Sequence, residues 1–286
     1  MRSAVRLGTG SGFTLDAVTC HDDHRRWSPP ETSSDYRVVL VRRGRFRRKA
    51  DGRAAVVDPT MAYLGIPGEE EHFAHPGGGD VCTSLCVTPD LWRSLAGDNT
   101  APSRSTIYVD ARLDLAHRHF LAAARTGDTA FELAEALLPL LSTALAQLTP
   151  MPVRRGRTPA SSEVIVEGAR EAIAAGHPAA DGLLPLAEFL AVSPYQLSRA
   201  FTRELGISLT HYRNRVRVGR ALDHLEGGAA NLALLAAELG FADQAHLTRT
   251  VRRHAGRTPA ALRRLLAPPG PSPARPSRTA DGEPRP

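Results

Sequence analysis

In the last third of the chain, apolar residues recur at helical spacing and are interrupted twice in the same way. In LLPLAEFLAVSPYQLSRAFTRELG, residues 183–206, Leu183, Leu186, Ala187 and Leu190 form one helical face that breaks at Val192-Ser193-Pro194. Ser193 suits an N-cap, since its hydroxyl accepts a bond from an otherwise orphan amide, and Pro194 suits a first helical position that needs no N–H. The restarted helix buries Leu197, Ala200, Phe201 and Leu205, leaves Tyr195, Gln196, Ser198, Arg199 and Arg203 outside, and closes at Gly206. The plan repeats with Asn231 as cap, Leu232, Leu235, Ala236 and Leu239 as stripe, and Gly240 at the turn. Asp243 then caps a helix over about 244–254. This helix buries Ala245 or Leu247 together with Val251, and it exposes Gln244, His246, Thr248, Arg249, Arg252 and Arg253. It stops at Gly256, and Thr258-Pro259 starts one short further helix. Between the units, 208–226 is apolar at Leu209, Tyr212, Val216, Ala221, Leu222 and Leu225 and ends at Gly227-Gly228. It predicts one continuous helix of about 27 Å.

The first half is written differently. Short apolar or alternating runs at 36–41, 45–48, 54–57, 61–66 and 81–87 are punctuated by Arg43-Gly44, Asp51-Gly52, Asp58-Pro59, Pro67-Gly68 and Gly77-Gly78-Gly79. That spacing predicts a small β-barrel or jelly roll. Two helices follow, over about 111–125 and 128–148, joined at Thr126-Gly127. The second is apolar on several faces, with Phe131, Leu133, Leu137, Leu138, Leu140, Leu141, Leu145 and Leu148, so it needs more cover than one barrel face gives. Pro139 is expected to kink it. The fold class is therefore α+β. A barrel domain spans 1–148, a Pro/Arg-rich linker 149–162, an all-α domain 163–267, and a tail with seven prolines in nineteen residues 268–286.

The two matched pairs have the form of helix-turn-helix units, in which the second helix enters the major groove with its N-terminal residues leading. In the first unit that places Tyr195, Gln196 and Arg199 toward bases. Arginine can bond guanine bidentately, glutamine can do the same to adenine, and tyrosine can pack on a thymine methyl or reach a phosphate. The ~27 Å spacer is comparable with the ~34 Å of one DNA turn, so one chain could read two adjacent grooves. Residues 161–266 resemble the DNA-binding domain of the AraC/XylS family of bacterial transcription regulators, through LSRAFTRELGISLTHYRNRVRVGRA and GFADQAHLTRTVRRHAGRTP in order and at the right separation. The resemblance implies double-stranded DNA and RNA polymerase as partners. It adds Gln244, Thr248 and Arg249 as the base-reading positions of the second helix. Leu247 stands where the family usually has an aromatic residue and Val251 where it usually has phenylalanine, which predicts looser packing there. The barrel resembles, in layout, the cupin-like sensory domain of many family members and implies an unidentified small-molecule effector. A second copy is the family's usual cover for the apolar helices, implying a homodimer through residues 111–148; packing within the chain is the alternative.

Composition changes this picture little. The chain has 286 residues and net charge +6, and all but one of its 36 basic residues are arginine, so a single exposed arginine says little and its place on a matched helix says more. Residues 161–267 carry 13 Arg against 10 Asp and Glu, mildly basic for a DNA-binding domain, so local field rather than bulk charge must carry the attraction. With no run of about twenty apolar residues and no signal pattern, a soluble cytoplasmic protein without structural disulfides is expected. One set in the barrel could carry chemistry: Cys20, His21 and His24, then His72, His75, Cys82 and Cys86. Antiparallel strands could bring Cys20, His24, His75 and Cys82 together as zinc ligands. The other reading is packing, or a ligand pocket lined by Trp27, Tyr63, Phe73 and His75. The chain is expected not to be an enzyme. A cupin-type metalloenzyme with an appended DNA-targeting domain lacks the H-x-H…E…H set, and a constitutive regulator whose barrel only dimerises is the third reading.

Overall fold

The computed structural model describes residues 2–96, 105–126, 131–148, 160–229 and 231–266. Gly127, most of the expected linker (149–159) and the proline-rich tail (268–286) lie outside the described residues. The strands are β1 (Arg2–Gly10), β2 (Phe13–Cys20), β3 (Tyr36–Arg43), β4 (Phe46–Ala50), β5 (Arg53–Val57), β6 (Met61–Gly65), β7 (Glu71–Ala74), β8 (Asp80–Val87) and β9 (Thr106–Tyr108). All pair antiparallel, in sheets ordered β1-β2-β8-β3-β6-β9 and β5-β4-β7.

Strand alternation divides the side chains between two layers. Val39 and Val41 of β3, Tyr63 of β6 and Cys82 of β8 meet Phe46, Val57 and Phe73 of the small sheet. Val38, Leu40, Leu64, Leu85 and Val87 face the other way, under the helices α1 (Pro89–Ala96), α2 (Ala111–Thr126) and α3 (Glu132–Leu148). Strand β3 is thus apolar on both sides because both sides are covered. Helix α3 runs unbroken through Pro139, and Leu133, Leu137, Leu140, Leu141 and Leu148 are buried within the chain against α2, β9 and β1. Phe131 and Leu138 stay exposed. The cover that the apolar pattern demands therefore comes largely from the same chain.

The all-α part comprises α4 (Ala160–Ala175), α5 (Leu183–Phe189), α6 (Pro194–Leu205), α7 (Leu209–Glu226), α8 (Leu232–Glu238), α9 (Gln244–Ala255) and α10 (Pro259–Leu266). Helix α7 belongs to both halves of this domain. Its Tyr212 packs with α4, α5 and α6, while Val218, Leu222 and Leu225 pack with α8, α9 and α10. In its second half Arg220 donates to the last carbonyls of α4, 2.8 Å from Ala174 O, a favourable use of a cation at a helix C-terminus.

The two domains are joined by polar groups that the fold buries. Asp114 of α2 accepts from Arg118 on its own helix at 2.9 Å and from Arg215 of α7 at 3.0 Å. Arg215 also donates to Val109 O at 2.7 Å, and Arg118 reaches Asp223 and Glu226 of α7 at 2.7 and 2.6 Å. Burial alone would raise the Asp114 carboxyl, but the two guanidiniums reverse that and leave it below the usual carboxylate range. At the β5–β6 turn, Asp58 binds Arg170 of α4 at 2.5 Å and Thr60 meets the Tyr212 hydroxyl at 3.1 Å.

His117 lies beside this junction, fully buried, with Nε2 2.8 Å from Thr83 Oγ1. Burial, with the nearby Arg42 charge second, pushes its pKa down to about 3. The unfolded value is about 6.5. A folded pKa below the unfolded one means that the neutral ring's stabilisation is complete above about pH 6.5 and is lost as the pH falls toward 3. Urea unfolding at pH 7 and pH 5 should show the wild type losing about 2 kcal/mol more than His117→Gln over that interval. Equal losses would place the acid sensitivity elsewhere.

Candidate nucleic-acid interface

Each recognition helix is started by a side chain that satisfies its orphan amides. Ser193 accepts from Gln196 N at 3.1 Å and Gln196 Oε1 accepts from Ser193 N at 3.0 Å, a reciprocal capping box. Asp243 accepts from His246 N at 2.6 Å. Asn231 accepts from both Ala233 N and Leu234 N at 3.0 Å, starting α8. Helices α6 and α9 both end at left-handed glycines, Gly206 and Gly256. The turns within the units differ: the left-handed residue is Gly240 in the second and Ala191, with φ of 54°, in the first.

The inward faces follow the apolar pattern. Leu197, Ala200 and Phe201 are buried on α6, with Leu205 half-buried. On α9 it is Leu247, not Ala245, that is buried, with Thr250, Val251 and Ala255. The two departures from the family's aromatic residues both fill their places: Leu247 and Val251 are 0% exposed. On α5, Leu183 departs from expectation at 43% exposed, because it is the first residue of its helix and the core begins one turn later at Leu186.

Outward stand Tyr195, Gln196 and Arg199 on α6 and Gln244 and Arg249 on α9, all exposed, with Thr248 half-buried between the last two. Arg199 lies over the Tyr195 ring at 5.3 Å and donates to its hydroxyl at 2.9 Å. The capping role of Gln196 leaves its amide N–H groups to face solvent while its oxygen is occupied. An S-x-x-Q pattern in the sequence carries that information. Arg203, Arg252 and Arg253 extend the basic surface along the same helices.

Comparison with known proteins agrees with this geometry. A family model described as a helix-turn-helix domain matches residues 186–265. The C-terminal domain of AraT, a response regulator from Geobacillus stearothermophilus, is 30% identical over 40% of this chain and 94% of its own, with a TM-score of 0.36. The chain carries an AraC-type helix-turn-helix domain at residues 186–265. It is a DNA-binding transcription regulator. ToxT from Vibrio cholerae O395 is similar at 9% identity over 90% of this chain and 98% of its own, with a TM-score of 0.37. A cupin superfamily protein from Desulfitobacterium hafniense is similar at 10% identity over 31% of this chain and 78% of its own, with a TM-score of 0.28. No curated protein sequence matches the chain. Among the described residues of this regulator, no helix is long and apolar enough to cross a membrane.

Between the two sheets of its barrel lies a cavity of about 210 Å³. Tyr63, Phe73 and His75 line it as expected. Trp27 does not: it lies under the cations of Arg47 and Lys49, at 5.1 and 5.4 Å, where a half-exposed indole gains more from charge than from burial. Along β8 the cavity runs from Asp80 and Cys82 toward Ser84 and Arg37. At the Arg37 end, Glu71 binds both Arg37 and Arg48, Arg48 also holds Glu69 at 2.6 Å, and its guanidinium lies 4.5 Å above the Tyr63 ring. At the other end are Cys20, His75, Asp80 and Cys82, all buried, whereas His24 is exposed at the rim with Nδ1 2.8 Å from Arg26 O. Burial pushes the thiols of Cys20 and Cys82 up, and the Asp80 charge adds to this, so both are protonated at neutral pH. His21 is exposed, and His72 bonds Ser28 O at 2.9 Å through Nδ1.

Replacing Asp243 with alanine should lower stability by about 1 kcal/mol through loss of the cap. Urea denaturation followed by circular dichroism measures it, and an unchanged midpoint would show that the His246 amide finds another partner.

Proposed function

We propose that this regulator reads DNA with α6 and α9 in two successive major-groove faces, and that a small molecule in the barrel cavity controls how the barrel holds α7. The observation that carries the second part is the position of the junction. Val57 and Tyr63, which pack inside the barrel, flank the turn whose Asp58 and Thr60 bind Arg170 and Tyr212. A ligand that prefers one arrangement of that turn thereby prefers one arrangement of the DNA-binding half; the effect is limited to its difference in affinity for the two. The first part rests on α7. Its 18 residues span about 27 Å and are packed into both helix-turn-helix cores, so the two recognition helices are set apart by a rigid element. RNA polymerase is the natural second partner of a regulator so built.

The base-reading assignment has a direct test. Arg199→Ala and Arg249→Ala should each relax sequence preference by about 1–3 kcal/mol at one of two DNA segments roughly ten base pairs apart. Binding-site selection with each variant reads this out. Loss at one shared segment in both variants would sink the two-groove arrangement.

A further inference from the structure

Cys20, His75 and Asp80 come together at one end of the cavity, with the Cys82 thiol bonded to Asp80. Strands β2 and β8 set Cys20 opposite Asp80 and Val18 opposite Cys82, so period-2 alternation turns both cysteines and the aspartate to the cavity side. His75 follows β7 and is held there by its own N–H, which donates to His24 O at 2.8 Å. His75 Nε2 lies 3.6 Å from Cys20 Sγ, and the Cys82 thiol donates to Asp80 Oδ1 at 2.8 Å. One ligand atom from each of Cys20, His75 and Asp80 falls within 4.8 Å of the others.

Two features distinguish this cluster from ordinary polar packing. His75 Nδ1 and Asp80 Oδ2 stand 2.8 Å apart yet off the line a hydrogen bond needs, so each is a buried polar atom without a hydrogen-bond partner. The second feature is a distance. Sulfur at about 2.3 Å and imidazole nitrogen at about 2.0 Å from one tetrahedral zinc ion stand about 3.6 Å apart, the separation found between Cys20 Sγ and His75 Nε2. A set of two sulfurs, one imidazole and one carboxylate suits a borderline-soft cation and is poor for magnesium or calcium.

The geometry points to a zinc-class divalent cation site formed by Cys20, His75, Asp80 and Cys82 at the β2–β8 end of the barrel cavity. It deepens the sensory reading by naming what the cavity takes, and it rests on that reading only for its effect on DNA. The ligand set differs from the one the sequence suggests: Asp80 replaces His24, whose ring meets that of His75 edge-on at 5.1 Å and stays at the rim. On binding, the cation takes the lone pairs of both sulfurs and the two thiol protons leave to solvent, the Cys82 proton by way of the Asp80 carboxylate that already accepts it.

The test uses the full-length metal-free chain. Titration with zinc against a chromophoric chelator should give one ion per chain, and cobalt in its place should show a thiolate-to-metal charge-transfer band. X-ray absorption of the zinc-loaded wild type should count two sulfurs at about 2.3 Å. The band should vanish in the Cys20→Ser/Cys82→Ser double variant, Asp80→Asn should weaken affinity about 10- to 100-fold, and His24→Ala should leave it unchanged. Zinc bound by oxygen and nitrogen alone, or binding undisturbed in the double variant, would overturn the site. The absorption result needs no variant, so a variant that fails to fold does not protect the proposal. Two-sulfur coordination with no change in DNA affinity upholds the site and removes metal as the signal to the DNA-binding half.

Discussion

A buried carboxylate stands at the centre of the junction between the molecule's two halves. Asp114 sits on α2 between Arg118 of the same helix and Arg215 of α7, buried except for a small edge. Such a group is tolerated because two guanidiniums share its charge; removing one partner of a buried pair of this kind costs about 3–5 kcal/mol, far more than the net worth of the pair. Helix α2 is what that pair fixes. Its Leu113 and Phe120 cap the six-stranded sheet, while Ala111 belongs to the core of the second helix-turn-helix unit. The place for the pair is cut into α7 by Gly219, where a Cβ would stand 2.7 Å from Arg215 Nη1. A glycine inside a helix costs about 1 kcal/mol against alanine, and here that cost makes room for the arginine.

The junction is polar where most domain cores are apolar, and this bears on control. Apolar contacts slide and readjust at small cost, whereas the Asp58–Arg170 and Asp114–Arg215 pairs have a few good geometries and large penalties between them. An element so held tends to two arrangements rather than a continuum. The strands that wall the cavity lead directly into one of these pairs, so a change of occupancy in the barrel needs to shift a short turn rather than the whole domain.

Local chemistry was legible in the sequence, and register was not. Ser193, Asn231 and Asp243 announced their helices because a cap is a property of three or four consecutive residues. The outward positions Tyr195, Arg199, Gln244 and Arg249 followed from helical period alone. Strands β1, β2, β7 and β9 escaped notice: β1 is mostly exposed, carries charge and glycine, and lies at the sheet edge, so it has no apolar alternation to display. Asp80 was missed for a different reason. Its place beside Cys20 comes from the pairing of β2 with β8, a relation between residues sixty apart that spacing cannot express. Arg215 and Arg118 carry no mark in the sequence, and they are buried where α2 docks on α7.

The two recognition helices are built alike but are not equally ordered before DNA arrives. Arg199 is already stacked on Tyr195 and bonded to its hydroxyl, so part of the rotamer entropy that a reading arginine must lose is lost in the free protein. Among the described residues Arg249 has no such companion. The first unit also keeps a non-glycine residue in a left-handed turn, Ala191, a conformation that costs an ordinary residue about 1–2 kcal/mol and persists only where the surrounding packing enforces it. The reading face of the first unit is thus held more firmly in the free protein than that of the second. A domain only mildly basic in total charge has more need of such placement than of general attraction to phosphate.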